Sequence, residues 1–409
     1  MVFKNLILAY FLLVLTQSCV VGQNSAKNKD GKTESNFILL NQEALLRNKK
    51  LISEKDTTKI SALKKLIKNA DKIVKEGKLY SVMHKKKTPP SGDKHDYMSQ
   101  APYWWADSTK KNGLPYIRRD GERNPEYYLI SDSDEMDELE DDSEILGLAY
   151  YFTNDEKYAS FCSKLIKTWF LDKETKQNPN FNYSQGIPGI NDGRGIGIIE
   201  SRELLRIADV ATLMKGSKNW TENDHVALKK WYADFLTWLK ENQLGKDEEK
   251  EHNNHGTFYD VQVVAYSLFT DNPESAKRQI EMTKKRIQSQ LQTDGSQPFE
   301  LERTVSWGYV NMNLWGFIQI AKMAEKVNID LWKYETLDGK NLQKAVDWLI
   351  PYLKKEKKWS YKQIKKMTYE DTIDLLKLSA IAYKKDEYES SAKMADAKIY
   401  NSEIYQLTF

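Results

Sequence analysis

The sequence predicts an all-α fold: an (α/α) toroid, an incomplete barrel of about six or seven helical hairpins with long loops lining a cleft. Three observations predict it. Apolar residues recur three and four apart through most of the chain after residue 37, the spacing that covers one face of a helix. Long alternating runs with hairpin turns, the mark of half-buried strands, are scarce. The helical stretches are separated by segments at 85–130, 172–195, 244–257 and 292–306, lengths that compact domains tolerate mainly where loops carry function. No internal repeat is evident, so the ring rests on helix count and loop length.

The elements follow in chain order. Lys4 precedes "LILAYFLLVLTQSC", an apolar run too brief to span a bilayer and shaped like a secretory signal. Residues 1–22 are therefore read as a leader. Cys19 resembles the lipidated residue of a bacterial lipoprotein box, and cleavage after "VVG", leaving Gln23 first, is the alternative. Either places the mature protein in the periplasm or on the outer-membrane surface of a Gram-negative bacterium. Residues 23–36, "QNSAKNKDGKTESN", are polar and read as a tether. Residues 37–409 are read as a single domain. Helical periodicity marks 44–77, 143–171, 197–216, 221–243, 273–291, 311–327, 341–353 and 371–384. The acid run "DSDEMDELEDD", 132–142, reads as a solvated helix N-terminus, where acids suit the helix dipole; it lacks the glycine turn of a calcium loop.

Composition excludes some functions. The net charge of +3 argues against a nucleic-acid binder working by bulk charge, but leaves room for an acidic substrate in a locally positive groove. Beyond the leader only Cys162 remains, so neither an intramolecular disulfide nor a cysteine zinc cluster is expected. Eleven Trp and twenty-three Tyr serve either core packing or the flat faces of a sugar cleft.

Four segments carry candidate chemistry. "EHNNHGTFYD", 251–260, sets His252 and His255 three apart with two amides between. A zinc site is disfavoured because no third ligand is suitably spaced, and no metal or other cofactor is expected. The bland alternative is that Asn254 and His255 cap a helix starting near Thr257. "DGSQPFELERTVSWGYVNMNL", 294–314, places Arg303 six residues before Tyr309, where a guanidinium next to a phenol lowers its pKa. Amides and a guanidinium stabilise charge growing on a carboxylate whose neighbouring carbon is deprotonated, and a phenol or imidazole takes the proton. In "NPNFNYSQGIPGINDGRGIGIIESREL", 178–204, Asn180, Tyr183, Gln185 and Arg194 are candidates to line the groove. Gly193, Gly195 and Gly197 allow tight turns but no phosphate loop. Arg202 and Arg206 read as partners of Glu203 or Asp209. In "PPSGDKHDYMSQAPYWWADSTKKNGLPYIRRDGERNPE", 89–126, Tyr103, Trp104 and Trp105 either stack on sugars or plug the toroid. His95 stays open, and Arg118, Arg119 and Arg123 either steer charge or brace the loop.

The blocks "PPSGDKHDYMS…PYWW…GLPYIRRDGERNPE", "NPN…NY…IPGINDGRGIGII", "NNHGT" and "SQP.E..RT.S..Y" resemble the alginate lyase superfamily of α/α-toroid polysaccharide lyases. The resemblance is closest to polysaccharide lyase family 38, which cleaves mannuronan or glucuronan, and runs from about residue 89 to "WSYKQI" at 359–364. It implies β-elimination on a 1,4-linked polyuronate, giving 4,5-unsaturated ends. In the related alginate lyase family 5 an Asn-His pair and an Arg…Tyr pair are catalytic; the Arg-to-Tyr spacing here is one residue shorter. Carried over, Asn254 and Arg303 neutralise the substrate carboxylate, His255 assists, and Tyr309 protonates O4. In mannuronate and glucuronate the C5 hydrogen and O4 share a face, so Tyr309 serves as base too. In guluronate they lie opposite, and His255 is the natural base. Trp359 and Tyr361 are implied to close the cleft. The partner is an anionic polysaccharide, with no nucleic acid and no membrane span. Two other readings stay open: a glycoside hydrolase using two carboxylates among Asp192, Glu200 and Glu300, and a surface glycan-binding protein without catalysis.

Overall fold

The computed structural model describes residues 37–409; the leader, Cys19 and the tether lie outside the described residues. The first periodic stretch is two helices, α1 (Gln42–Ser53) and α2 (Thr57–Glu76). It breaks because Lys55 turns left-handed at φ 65° and the Asp56 carboxylate caps the second helix through the Lys59 amide. Gly77, at φ 64°, stops α2. The loop that follows carries strands β1 (Met98–Gln100), β2 (Trp104–Trp105) and β3 (Ile117–Arg118). α3 (Asp132–Thr153) ends on left-handed Asn154, and Asp155 caps α4 (Glu156–Phe170). Strand β4 (Tyr183–Gly186) pairs in parallel with β1, while β2 and β3 form an antiparallel pair. Of these two small pairs, absent from the periodicity, β1–β4 joins the first and second long loops and β2–β3 folds the first loop on itself.

A 3-10 segment, Gly195–Leu204, leads into α5 (Leu205–Leu213). Then come α6 (Glu222–Glu241), α7 (Gln243–Lys250), α8 (Asn254–Phe269) and α9 (Pro273–Gln290). α7 and the start of α8 occupy most of what the sequence offers as a loop at 244–257. After α10 (Pro298–Leu301) the chain forms α11 (Ser306–Ala324), α12 (Leu342–Leu353), α13 (Glu370–Tyr383), α14 (Asp386–Ala395), α15 (Ala397–Tyr400) and α16 (Glu403–Thr408). Helices pack as antiparallel pairs, α3 with α4, α8 with α9, and α13 with α14. One curved series of neighbours runs α2, α3, α5, α8, α11 and α13, and α16 packs back on α1 and α2. This is the (α/α) toroid.

Burial explains the composition. Nearly every residue of α8 is buried, as expected of a helix apolar on all sides at the centre of a large core. Much of the aromatic surplus is core: Phe235 packs against Phe181, Trp231, Trp238 and Tyr266. The acid run is a solvated face only in part, with Asp137, Glu138 and Asp141 exposed. Asp132 and Glu140 are buried in α3, and Asp132 pairs with the fully buried Lys85 at 2.9 Å. Burial pushes the Asp132 carboxyl up to about 7. Arg206 pairs with Asp141 and Glu144 of the same helix rather than with Glu203 or Asp209. Asp209 instead accepts the backbone amides of Ile38, Leu39 and Leu40. Arg202 does meet Glu203, at 3.4 Å. A cavity of about 460 Å³ opens where this acidic helix faces α5, α11, α13 and α16, with Glu203, Arg206, Gln319, Asp374 and Tyr405 among its lining.

Candidate active site

The "NNHG" stretch begins α8, three residues earlier than the sequence suggests. Asn253 is the cap: its side-chain oxygen accepts the His255 amide at 2.9 Å. Capping therefore falls to Asn253, and Asn254 and His255 are free for other partners. Gly256 is demanded by crowding, since a Cβ there would meet the Glu251 carbonyl at 2.1 Å and the Arg286 guanidinium at 2.2 Å. Arg286 in turn donates to the Glu251 and Glu249 carbonyls and to the buried carboxylate of Asp260.

Asn254 is fully buried, yet its amide oxygen finds no donor. Its backbone N–H donates to Glu300 Oε1 at 2.6 Å and its Nδ2 to Glu300 Oε2 at 2.8 Å. His255 Nδ1 lies 3.1 Å from Oε1 of Glu248 on α7, so its Nε2 edge is the one left for other work. His252 points elsewhere, packing its ring on Phe299 at 4.6 Å. The two histidines do not share a ligand position, and among the described residues no metal-binding group of His, Cys, Asp and Glu assembles.

Glu300 and Glu248 are both buried carboxyls. Burial pushes both upward, partly offset for Glu300 by the Asn254 hydrogen bonds and for Glu248 by His255. The charges of Arg303 and His255 also act to lower Glu300. Arg303 Nη2 donates to Asp120 Oδ1 at 2.8 Å, and its guanidinium carbon lies 3.6 Å from the centre of the Tyr309 ring. Asp120 feels burial pushing it up, but Arg303 and Thr304 hold its carboxyl well below the usual range. The Tyr309 hydroxyl donates to that of Tyr103 at 3.0 Å.

The expected lowering of the Tyr309 pKa is not what the structure gives. Burial raises it strongly and the Tyr103 hydroxyl adds to this; the Arg303 charge opposes them but is outweighed. The guanidinium lies over the ring face instead of bonding the oxygen, so its pull on a phenolate is weak.

The remaining candidates divide. Trp104 stands next to Arg194, whose guanidinium carbon is 6.0 Å from the indole ring. Arg194 donates to Gln185 at 2.7 Å, its Nε is buried without a partner, and burial lowers it to about 10. It also feels the charges of Glu248 and Glu251, so it borders the His255 cluster. Gln185 is buried and serves to hold Arg194. Asn180 braces the loop by donating to Asp96 at 2.9 Å. Tyr183 is half-buried in β4, opposite Met98. Tyr361 is 36% exposed and packs on Trp359 at 5.0 Å. His95 bonds the Lys176 carbonyl, Arg118 pairs with Asp120, Arg119 lies over Trp105, and Arg123 over Tyr127; these brace loops. Gly195 matters by proximity: a Cβ would meet the Leu244 carbonyl at 2.7 Å and the Glu248 amide at 3.1 Å, so glycine lets this loop approach α7.

Sequence reasoning missed Asp120 and Glu248. Asp120 is the lone acid of "IRRDG", a hint without a partner until Arg303, 183 residues away, is placed beside it. Glu248 is one of four acids in "KDEEKE", and only the turn between α7 and α8 selects it. The carboxylates proposed for hydrolysis are otherwise engaged: Glu200 is buried and accepts Tyr97 and Ser99 hydroxyls, Glu300 holds Asn254, and Asp192 is exposed.

The alginate lyase family model matches residues 81–359. The chain belongs to the alginate lyase family. It is similar to the crystal structure of an alginate lyase from Bacteroides ovatus, with 35% identity and a TM-score of 0.86, over 92% of this chain and 99% of that one. The fold is also similar to alginate lyase A1-III from Sphingomonas species A1, at 16% identity and a TM-score of 0.50, over 79% of this chain and 88% of that one. A histidine-to-alanine form of A1-III complexed with a tetrasaccharide aligns at 14% identity and a TM-score of 0.53, over 81% and 93% of the two chains. No curated protein matches the sequence. Among the described residues, no helix of this family member is long and apolar enough to cross a membrane.

Proposed function

We infer that this alginate lyase family member is a polysaccharide lyase that cleaves a 1,4-linked polyuronate, alginate rich in mannuronate or glucuronan, by β-elimination. The observation that supports this reading is that Asn254 binds Glu300 and its neighbour His255 binds Glu248, while Arg303, three residues beyond Glu300, stacks on the Tyr309 ring. The C5 proton of a uronate is weakly acidic because the adjacent carboxylate is already negative. An amide N–H of Asn254 and the guanidinium of Arg303 offset that charge and stabilise the dianion that forms on proton loss. Asp120 fixes one edge of Arg303 and leaves Nη1 for the sugar.

Tyr309 delivers its proton to O4 as the C4–O4 bond breaks, leaving a C4–C5 double bond. Its raised pKa suits the acid half of the step. With mannuronate or glucuronate the same oxygen, as phenolate, first takes the C5 proton from the shared face, and that proton is the one it then passes to O4. With guluronate His255, oriented by Glu248, takes it from the opposite face. Trp104 and Arg194 extend the groove to one side, with Tyr103 at the phenol, and Tyr183 and Tyr361 at its borders. Export to the periplasm or outer-membrane surface fits a polymer-degrading role.

The test is the ultraviolet absorbance of 4,5-unsaturated products on mannuronan, guluronan and glucuronan. Tyr309→Phe should lower turnover by about 10²–10⁴-fold with little change in KM. Near-native product formation by that variant overturns the role of the phenol. New reducing ends without absorbance would point to hydrolysis instead.

A further inference from the structure

We propose that the lysine-rich strap 354–366 is a second, distal binding site for the anionic chain, which holds polymer beyond the residues being cleaved; this rests on the polyuronate reading above. The strap, "KKEKKWSYKQIKK", contains seven lysines and one acid, Glu356. Only Lys354 is paired, with Glu387. Lys355, Lys357, Lys358, Lys362, Lys365 and Lys366 are all exposed, and none makes an ion pair among the described residues. A lysine run is commonly just a solvated face. Exposed lysines elsewhere are mixed: Lys50, Lys230, Lys277 and Lys333 each stand beside an acid, while Lys64, Lys65 and Lys68 do not, and the strap differs in crowding six unpaired ones into residues 355–366.

Position is the second argument. The strap is bonded to the segment that carries the candidate catalytic pair. Val305 and Gln363 form an antiparallel bridge, Ile364 N donates to the Thr304 carbonyl at 2.9 Å, and the Ser306 hydroxyl donates to the Lys362 carbonyl at 2.7 Å. Thr304 follows Arg303 directly, and Tyr309 is three residues beyond Ser306. The strap is also anchored: Trp359 Nε1 donates to Ser306 Oγ at 3.0 Å, and Trp359 packs against Trp307, Trp348 and Tyr352. Six unneutralised cations on a rigid support, joined to the edge of the site, suit a ligand with one carboxylate per sugar. Tyr361, exposed between Lys358 and Lys362, adds a flat face for a ring.

The experiment replaces Lys357, Lys358, Lys365 and Lys366 together by Gln, with an all-Arg replacement as control. On long alginate the Gln variant should raise KM roughly five- to tenfold with kcat within twofold, and on a tetrasaccharide it should match the parent. The parent's KM should climb with added salt and the variant's should stay flatter. The Arg set should restore the parent values. A Gln variant whose KM on polymer stays within twofold of the parent overturns the proposal, as does failure of Arg to rescue. Migration through native gels with and without alginate gives a readout that needs no turnover. Should the parent make no unsaturated product, the lyase reading fails and retardation alone decides: its loss in the Gln variant supports the strap, equal retardation overturns it.

Discussion

Tyr309 has a cation against its ring and still holds its proton more tightly than a free phenol. Burial removes water from the phenolate, and a guanidinium stacked on the face replaces little of that solvation. The sign of the pH dependence follows. A base-requiring step by this phenol gains phenolate as pH rises, so turnover on mannuronan should climb well past neutrality. Turnover on guluronan, where Tyr309 serves only as the acid, should not share that climb. Parallel pH–rate profiles on the two polymers would contradict a division of labour between the two bases. Glu248 acts through His255: Glu248→Gln keeps the hydrogen bond but removes the negative partner of an imidazolium. It should lower kcat on guluronan more than on mannuronan, with KM nearly unchanged, measured on matched polymers.

At the scale of one element, α8 shows why a short motif has its spelling. Asn253 caps, Asn254 reaches Glu300, His255 reaches Glu248, and Gly256 leaves room for Arg286 and the Glu251 carbonyl. Gly256→Ala drives a methyl group into a carbonyl and a guanidinium that is itself tied to Asp260. The cost should be about 1–3 kcal/mol, read as a lower midpoint in chemical denaturation, with activity lost as Asn254 shifts. Asn253→Ala should cost about 0.5–2 kcal/mol through the lost cap. The capping that the sequence offered as the bland alternative for Asn254 and His255 falls to Asn253 instead, because an amide, an amide and an imidazole in succession are equivalent until their partners are known. The helix boundary at Gly77 was legible, since glycine acts through local backbone chemistry; the one at Asp155 was not, because 143–171 reads as one periodic stretch.

Across the whole molecule, the inward-facing acids dominate the electrostatics. Asp371 rises to about 7 through burial and the nearby charge of Glu203, and Asp374 to about 8 through burial despite its bond to Tyr405. With Asp132 at about 7, these groups keep their protons in the fold at pH values where the unfolded chain, near 4, has lost them. The native state then binds more protons, so stability falls as pH rises from about 4 to about 8 and levels off above. Asp120 acts oppositely, stabilising above its unfolded value and losing this as pH falls. Thermal midpoints should therefore be higher near pH 5.5 than near pH 8, and Asp374→Asn should narrow the gap. An unchanged midpoint across that range would place these carboxyls in water.

Periodicity, caps and loop lengths were enough to specify helices, their pairing and the toroid, because those features depend on near neighbours along the chain. Residue types within and beside the long loops nominated Asn254, His255, Arg303 and Tyr309 as candidates. What they did not contain was partnership across distance. Asp120 meets Arg303, Glu300 meets Asn254, and the acids of α3 turn inward toward Arg206 only once the ring of hairpins brings remote segments together. Burial is a property of that assembly, and burial sets whether an acid is ionised and whether a phenol begins as acid or base.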